Sequence, residues 1–473
     1  MLPTKKTKIV CTIGPASRAP ETLKALILAG MNVARINFAH GDLASHAQTV
    51  ATIRDAVAQT GRRVAIMGDL PGPKLRVGML ATEPVHLETG MPFVLQTAEV
   101  VGDATRVATS FTALPRVVKP GDRVFLNDGF VELVVEDVAA DEVRCRVQVG
   151  GELRSRKGMN LPGIDLGISA FTEQDREILA FAAAQRLDAV SLSFVQNAED
   201  IAALRAAARA LAYDPFVIAK VERSRALENL DEILASADGL MVARGDLGVE
   251  IPIEQVAVAQ KDVIRRANRV GKPVITATHM LESMTSSRRP TRAEATDVAN
   301  AILDGTDCVM LSGETAVGRY PVEAVTTMAA IACATEAERP GRLMASLLEA
   351  QRARGELSEE DVISLTVYFA VEALKPDVVC TPSDSGGTPR RITRFRLPVP
   401  IVAFSDNAKA CQDLQFSYGV EPVHLAERPP SWSRFVWQWT QDQACVARRV
   451  LLTQGTSVQQ PGGRTRIEII HLR

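Results

Sequence analysis

The sequence predicts an α/β protein built on a (β/α)₈ TIM barrel, with a small β-barrel lid domain inserted in it and an α/β domain at its carboxyl end. Three observations lead to this prediction. Short apolar runs alternate with helical segments up to about residue 340, one interval between two runs is far too long, and the alternation then breaks. A chain of 473 residues is also too long for one hydrophobic core.

Eight apolar runs are the candidate strands of the barrel. Each is short and is followed by a polar or Gly-containing turn. They are Lys8–Thr12, Val33–Ile36, Val64–Met67, Ala189–Leu192, Phe216–Ala219, Gly239–Val242, Val274–Ala277 and Cys308–Leu311. Strands that alternate with helices are typical of parallel sheets, and eight such units favour a closed barrel.

The long interval lies between the third and fourth runs. From Gly78 to about Lys157 the pattern changes to period-two alternation with turns, as in KPGDRVFLNDGFVELVVEDV, which predicts a β-domain on the third βα loop. The runs DVVCTPSD, PVPIVAF and TRIEIIHL, separated by helical segments, predict a later α/β domain. We therefore assign residues 1–77 and 158–338 to the barrel, 78–157 to the inserted β-domain and 339–473 to a C-terminal α/β domain.

Composition excludes several classes of protein. The formal net charge is −2 and charged residues make up 23% of the chain, so nothing indicates a nucleic-acid partner. No apolar run is long enough for a membrane span or a signal peptide. The cysteines are scattered without a CxxC pair, which predicts neither a disulfide framework nor a zinc site and favours a reducing, cytoplasmic location. They are Cys11, Cys145, Cys308, Cys333, Cys380, Cys411 and Cys445.

Polar side chains lie at or just after the ends of nearly all the predicted strands. They are Arg35, Asn37, Asp69, Ser193, Lys220, Glu222, Arg244, Asp246, Thr278, His279 and Glu314. The active site of a (β/α)₈ barrel lies at the carboxyl ends of its strands, so these side chains are expected to converge. Carboxylates for a hard cation beside several cations for an anionic substrate favour metal-assisted phosphoryl transfer.

Each member of this set also has a purely structural interpretation. Asp69 and Asp246 could each be a helix N-cap, Lys220 a surface residue and Arg35 one half of a structural ion pair. The serine and the threonine of the set are more typical of caps than of ligands, and its histidine of a packed side chain than of a base. The convergence of so many polar residues favours an active site.

Nine stretches of the chain resemble the pyruvate kinase family and come in that family's order. They are Thr7–Ser17, Gly30–Gly41, Gly72–Gly78, Lys157–Gly163, Ile218–Glu222, Met241–Pro252, Ala277–Met284, Arg289–Gly305 and Met310–Pro321. The most specific are MVARGDLG and RPTRAE. The inserted domain resembles the family in position more than in motif, and the final domain resembles it only loosely.

The resemblance implies transfer of the phosphoryl group of phosphoenolpyruvate to ADP, giving pyruvate and ATP in glycolysis. It implies that Glu222 and Asp246 hold Mg²⁺ or Mn²⁺ and that Lys220 stabilises charge on the transferring group. It also implies that Thr278 and the amides near Gly245 and Asp246 bind the substrate carboxylate.

The nucleotide contacts implied by the resemblance come from both sides of the lid hinge. Arg35, Asn37, His40 and Arg76 would orient phosphates of substrate and nucleotide, with Arg35 on the substrate, and Lys157 would reach ADP. Arg76 and Thr278 would also act in catalysis. A closing lid would bring these charges to the nucleotide and expel water. The alternative is that the inserted domain is a structural appendage. No GxxxxGK[ST] loop is present, so a P-loop is not expected.

The sequence departs from the family where its potassium-dependent members bind a monovalent cation. Those members carry NFSHG and usually a Thr after the barrel aspartate, whereas this chain has Ala39 and Leu70. Lys74 stands where those members carry Glu. We therefore expect Lys74 to substitute for the cation and K⁺ not to be required. His279 stands where Gln is usual, and we assign it no consequence.

A loop in the final domain resembles the one with which the family often binds a phosphorylated effector. Its candidate ligands are Thr381, Ser383, Ser385, Gly386, Thr388 and Arg391. An extra residue, Asp384, would repel a phosphate unless its carboxylate points away. The resemblance also implies an allosteric homotetramer in which residues 78–157 are the lid and 339–473 the regulatory domain.

Two other functions remain open from the sequence. One is an aldolase-type lyase, a metal-dependent barrel acting on pyruvate or phosphoenolpyruvate, which would need neither ADP nor a lid. The other is an inactive relative that binds metabolites, which should have lost Lys220, Glu222 or Asp246. All three residues are present.

Overall fold

The computed structural model describes residues 5–338, 341–353, 355, 357–442, 448–454 and 465–472. The predicted regulatory domain is therefore described in part, and Cys445 lies outside the described residues. The six cysteines within them are free thiols. Within the described ranges, no helix is both long and apolar enough to cross a membrane.

The chain begins with three strands that alternate with two helices. These elements are β1 (Lys8–Thr12), α1 (Pro20–Ala29), β2 (Val33–Asn37), α2 (Leu43–Thr60) and β3 (Ala65–Leu70). Local sequence fixes the helix ends. A proline stands at the start of α1 and Gly30 ends it with a positive φ of 122°, while the Asp42 side chain accepts from the Ser45 amide and caps α2.

The segment after β3 folds almost entirely as strands. Its elements are β4 (Val85–Leu87), β5 (Pro92–Gln96), β6 (Arg106–Ala108), α3 (Leu114–Val117), β7 (Arg123–Leu126), β8 (Val131–Val138), β9 (Glu142–Val149), β10 (Gly151–Leu153) and β11 (Met159–Asn160). They form a six-stranded sheet, β11-β7-β8-β9-β5-β6, and a two-stranded sheet, β10-β4. Along β9, Val143, Cys145 and Val147 are buried and alternate with exposed Arg144 and Arg146, as a half-buried strand requires.

The remaining strands of the barrel follow, each with its helices. The elements are α4 (Glu173–Ala184), β12 (Ala189–Leu192), α5 (Ala198–Ala210), β13 (Phe216–Val221), α6 (Ser224–Glu228), α7 (Leu230–Ser236), β14 (Gly239–Ala243), α8 (Arg244–Glu250), α9 (Ile253–Arg269), β15 (Val274–Ala277), α10 (Arg292–Leu303), β16 (Cys308–Leu311), α11 (Gly313–Ala316) and α12 (Pro321–Thr335). A single 3₁₀ turn, Glu282–Thr285, precedes α10.

Eight parallel strands close into the predicted barrel in the order β1-β16-β15-β14-β13-β12-β3-β2. Strand β1 pairs with β2 on one side, where Val10 lies opposite Val33. On its other side it pairs with β16, where Lys8 lies opposite Cys308. The barrel prediction is therefore confirmed. Four strands run further toward their carboxyl ends than their apolar runs. In three of them the added residues include Asn37, Asp69 and Lys220, which are therefore strand residues rather than loop residues.

The last part of the chain forms a second α/β unit. Its elements are α13 (Gly341–Ala353), α14 (Glu359–Leu374), β17 (Val378–Pro382), α15 (Gly387–Thr393), β18 (Ile401–Ser405), α16 (Ala408–Asp413), β19 (Val420–His424), α17 (Trp432–Asp442), β20 (Arg449–Gln454) and β21 (Arg466–His471). The sheet order is β19-β18-β17-β20-β21, with β21 antiparallel to β20 and the other pairs parallel. The three runs named from sequence correspond to β17, β18 and β21.

A buried ion pair joins this unit to the amino-terminal end of the barrel. Arg396 donates to Asp307 at 2.9 Å, and both side chains are only 3% exposed. The same carboxylate accepts from the amides of Tyr418 at 3.0 Å and Val274 at 3.1 Å. Arg396 also donates to the Asn268 side chain at 2.8 Å. Because these partners come from both units, the network fixes one against the other.

We expect Arg396→Met to lower the free energy of unfolding by about 3–5 kcal/mol, because it leaves the Asp307 carboxylate buried without its counter-charge. Urea unfolding followed by circular dichroism measures this loss. The control is Arg144→Met, which removes a guanidinium from an exposed pair with Asp137 and should change stability little. Equal losses in the two variants would contradict the role given to the buried pair.

Candidate active site

A buried lysine lies at the carboxyl end of β13, inside the mouth of the barrel. The Nζ of Lys220 donates to the Ser193 Oγ at 2.7 Å and lies 2.8 Å from Glu222 Oε1 and 3.5 Å from Asp69 Oδ1. Burial favours its neutral amine, but the two carboxylates outweigh burial and raise the pKa of Lys220 above its ordinary value. The side chain is therefore a fixed cation rather than the surface residue of the structural interpretation.

Asp69 connects this lysine to a second buried cation. Its Oδ2 accepts from Arg35 at 2.6 Å, and its Oδ1 accepts from Ser191 at 2.5 Å. Arg35 also donates to Thr12 at 2.8 Å. Burial favours the neutral acid, yet Arg35 and Lys220 overcome it and lower the pKa of Asp69 to about 2. Asp69 is thus an ion-pair partner of two cations, not the helix N-cap considered from sequence.

Two carboxylates, Glu222 and Asp246, lie close enough together for the charge of Asp246 to act on Glu222. Burial and the neighbouring Asp246 raise the pKa of Glu222, although Lys220 opposes them. The Glu222 Oε2 accepts from the Phe194 amide at 2.7 Å. Within the described part of the chain, no hydrogen bond or ion pair occupies the half-buried Asp246 carboxylate.

This donor set fits a hard divalent cation. Glu222 and Asp246 supply anionic oxygens whose negative charge is not fully balanced by neighbouring cations. A hard divalent cation prefers oxygen ligands of this kind. Among the described residues, no group of three or more His, Cys, Asp and Glu side chains is arranged to hold a metal. A site with two protein carboxylates suits Mg²⁺, which commonly keeps its other positions for water and substrate oxygens.

The first turn of α8, which directly follows β14, meets the end of β15 at Thr278. The Gly245 amide donates to the Thr278 Oγ1 at 2.8 Å, and that hydroxyl donates to the Ala277 carbonyl at 2.6 Å. Thr278 and His279 both have positive φ, of 69° and 53°. His279 is exposed, so its interpretation as a packed histidine is wrong: the left-handed backbone turns this side chain toward solvent.

The two chain crossings between barrel and inserted domain run side by side. Arg76 pairs with Gly158, and the Val77 amide donates to the Lys157 carbonyl at 2.9 Å. The Arg76 guanidinium donates to the Arg156 carbonyl at 2.8 Å. Lys157 is half-buried and Lys74 is exposed. The predicted hinge cations therefore lie on neighbouring chain segments at the base of the insertion.

The remaining residues expected to contact the nucleotide lie at and just after the end of β2. The Asn37 Oδ1 accepts from the Ala39 amide at 3.1 Å, which shapes the turn. His40 is exposed, and its carbonyl lies 2.9 Å from the His46 Nε2. Leu70, at the end of β3, is fully buried.

The candidate effector loop joins β17 to α15. Thr381 is buried, and the Gly386 amide donates to the Ser383 Oγ at 3.0 Å. Gly386 has a φ of 79° and precedes α15, which carries Thr388 and Arg391. Asp384 forms an ion pair with Arg428, so its charge is compensated by another segment of the chain.

Several residues that shape the mouth were not singled out from sequence or were misjudged. Ser191 and Thr12 fix Asp69 and Arg35. Ser193 was interpreted as a cap, but its hydroxyl donates to the Leu70 carbonyl at 2.7 Å and accepts from Lys220. Glu314 is buried and accepts from the Ser312 amide at 2.7 Å and the Leu281 amide at 3.0 Å. The only available signal was their place at or near strand ends.

A barrel whose mouth combines buried cations with two carboxylates is typical of enzymes that transfer phosphoryl groups with a divalent metal. Two family models match this chain: the pyruvate kinase barrel domain over residues 4–325 and the pyruvate kinase alpha/beta domain over residues 360–470. The chain belongs to the pyruvate kinase family, and it is a phosphotransferase of that family.

Individual relatives agree with the family models. A pyruvate kinase from Thermococcus litoralis is 49% identical over 429 residues, which cover 90% of each chain. One from Geobacillus stearothermophilus is 44% identical over 421 residues, covering 88% of this chain and 71% of that one. The crystal structure of a pyruvate kinase from Cryptosporidium parvum gives a TM-score of 0.91 at 33% identity, covering 99% of this chain and 97% of that chain. The family and the fold predicted from sequence are confirmed.

We expect the stability conferred by Asp69 to depend on pH. Its pKa falls from an ordinary 3.8 to about 2 in the folded state, so its stabilisation, worth about 2 kcal/mol, is complete above pH ~4 and is lost as pH falls toward 2. Asp69→Asn should remove this dependence. Urea unfolding of the wild type and the variant, measured from pH 7 to pH 3, gives the difference in free energy, which should shrink below pH ~4. A difference that is constant with pH would contradict the assignment.

Proposed function

We propose that this protein transfers the phosphoryl group of phosphoenolpyruvate to ADP, giving pyruvate and ATP in glycolysis, with Mg²⁺ or Mn²⁺ and without a requirement for K⁺. The observation that carries the proposal is the buried Lys220 cation, 2.8 Å from Glu222 at the barrel mouth. A fixed positive charge beside a carboxylate pair suits a substrate that brings negative charge and a metal together.

Glu222 and Asp246 would hold the divalent cation, which when bound supplies positive charge to phosphoryl oxygens. Lys220 would stabilise charge on the transferring phosphoryl group and on the developing enolate. Its buried pairing with Asp69 supports this role, because a preorganised charge in a water-poor site requires little reorganisation during the reaction. Arg35, fixed by Asp69 and Thr12, would bind the phosphoryl oxygens.

The substrate carboxylate would bind at the turn where Gly245 and Asp246 begin α8. The contact between the Gly245 amide and Thr278 supports this placement, because it sets two hydrogen-bonding groups at one point in the mouth. In the free protein these groups satisfy each other. A carboxylate would replace that bond, with the amides donating to it and the Thr278 hydroxyl orienting it beside Lys220.

The nucleotide would bind between the mouth and the inserted domain. Asn37 and His40 from the barrel, with Arg76 and Lys157 from the crossings, would contact its phosphates. Arg76 and Lys157 lie on adjacent segments, so one movement of the inserted domain would carry both. We therefore propose that residues 78–157 act as a lid on the barrel formed by 1–77 and 158–338, and that closure excludes water.

We further propose that the chain is a cytoplasmic homotetramer regulated through residues 339–473. A phosphorylated effector would bind the loop containing Thr381, Ser383, Ser385, Gly386, Thr388 and Arg391. The pairing of Asp384 with Arg428 supports this, because a compensated carboxylate repels a phosphate less. Light scattering tests the tetramer, and a panel of phosphometabolites that leaves phosphoenolpyruvate saturation unchanged would refute the effector site.

Two features support independence from K⁺. Side-chain oxygens that would bind the ion are missing, and a lysine adds a positive charge. Leu70 and Ala39 offer no side-chain oxygen, so a bound K⁺ would be poorly coordinated. One positive charge about 4 Å from the phosphates is worth roughly 4 kcal/mol at an effective dielectric near 20. Lys74 would supply that charge when the lid closes, since the exposed ammonium lies in the segment between β3 and the lid.

The reaction is tested by coupling pyruvate formation to lactate dehydrogenase, with and without ADP. Lys220→Met should reduce turnover by at least about two to three orders of magnitude, because the charge that stabilises the transition state is lost. Lys119→Met removes an exposed lysine and serves as the control. Turnover of the Lys220 variant within tenfold of the wild type would rule out this role, and pyruvate release without ADP would favour a lyase.

Turnover should be nearly the same in a tetramethylammonium buffer and after addition of K⁺ at constant ionic strength. Lys74→Glu should lose up to about a thousandfold in rate, the equivalent of the missing charge, and K⁺ should restore it only in part because two ligands are still absent. Steady-state rates measure both effects. Activation of the wild type by K⁺ beyond about fivefold would refute the proposal.

A further inference from the structure

A two-residue turn after β12 contacts Lys220 of β13 and Glu222, which directly follows that strand. The Ser193 Oγ accepts from the Lys220 Nζ at 2.7 Å and donates to the Leu70 carbonyl at 2.7 Å. The next amide, of Phe194, donates to the Glu222 Oε2 at 2.7 Å. Phe194 has a φ of 58°, an unusual conformation for a residue with a side chain. The position of this turn therefore sets one hydrogen bond to each charged group.

Gly72 packs against the opposite side of the same turn. It has a φ of 63°, and a Cβ built on it would lie 3.0 Å from the Ser193 carbonyl oxygen and 3.1 Å from the Phe194 Cδ2. Both contacts are tighter than side chains ordinarily make. The backbone of the segment after β3 thus lies directly against the turn, so a side chain at position 72 would have to push the turn away.

Asp175, near the start of α4, holds Gly72 in this place. Its Oδ1 accepts from the Gly72 amide at 3.1 Å. Its Oδ2 accepts from the Thr172 amide at 2.9 Å and from the Thr172 hydroxyl at 2.6 Å. The side chain is fully buried. Because the helix start fixes the carboxylate, the carboxylate can fix the segment that leaves β3.

We propose that Gly72 and Asp175 are positioning residues for the phosphoryl-transfer site. They act through the Ser193–Phe194 turn, which orients the Lys220 ammonium and the Glu222 carboxylate. The inference rests on the roles proposed for Lys220 and Glu222 and extends them to two residues that touch neither substrate nor metal. Displacement of the turn disturbs both groups at once, and misplacement by about 1 Å can cost up to about a hundredfold in rate.

The first test compares Gly72→Ala with Gly61→Ala. Gly61 has nearly the same φ, 62°, but a Cβ there meets nothing within 4 Å, so this control carries the backbone strain without the displacement. Gly72→Ala should lower kcat at least about tenfold and weaken Mn²⁺ binding in isothermal titration calorimetry, because the Glu222 ligand moves with the turn. Gly61→Ala should keep the wild-type kcat and Mn²⁺ affinity.

The second test removes the anchor instead of crowding the turn. An amide has one acceptor oxygen, so Asp175→Asn leaves either the Gly72 amide or Thr172 without its partner. The control is Asp188→Asn, because Asp188 is half-buried and accepts from the Ile66 amide at 2.7 Å, at the amino end of β3. Both variants should lose thermal stability, but only Asp175→Asn should lower kcat and Mn²⁺ affinity.

The proposal is overturned if Gly72→Ala matches Gly61→Ala in both readouts, or if Asp175→Asn matches Asp188→Asn. Should Gly72→Ala fail to fold by circular dichroism, the Asp175 comparison decides the matter alone. If the wild-type protein binds Mn²⁺ but does not turn over phosphoenolpyruvate, the proposed function is refuted. The positioning role would then be judged from the Mn²⁺ affinities of the four variants alone.

Discussion

Closure of the eight parallel strands is the constraint on which the rest of this structure depends. β1 pairs with β2 on one side and with β16 on the other, so the sheet has no free edge. Each carboxyl end is then fixed relative to all the others. Lys220 on β13 and Asp69 on β3 can therefore face each other across β12 in a defined geometry, although they are distant in sequence.

The charges brought together by closure alternate in sign. Arg35, Asp69, Lys220 and Glu222 form a sequence of contacts from cation to anion to cation to anion. Each charge is removed from water, which is costly unless its neighbour has the opposite sign. Glu222 ends the sequence, and burial together with the like charge of Asp246 beyond it raises the Glu222 pKa. The negative charge at the Glu222–Asp246 end of this series is therefore not fully balanced, and a divalent cation fits there.

The barrel was predictable because strands buried on both faces read as apolar runs, and all eight runs named from sequence are strands. Their carboxyl ends were harder to place, because Asp69 and Lys220 are polar yet buried through pairing with each other. The hydrogen bonds of Ser193 and the ion-pair partner of Asp384 could not be predicted from the neighbouring sequence. Arg428 lies 44 residues beyond Asp384, and only the packing of the C-terminal unit brings them together. β19 was overlooked because VEPVH mixes polar residues and a proline with its valines.

The inserted domain also constrains how the chain reaches this structure. β3 and β12 are neighbours in the barrel, yet the Asp69 and Ser191 that pair between them are 122 residues apart. Bringing such distant segments together costs more loop-closure entropy than joining adjacent βα units. An insertion already folded, with its two crossings held side by side, shortens the effective loop and lowers that cost. Folding of the insertion before the barrel would therefore favour the pairing of β3 with β12.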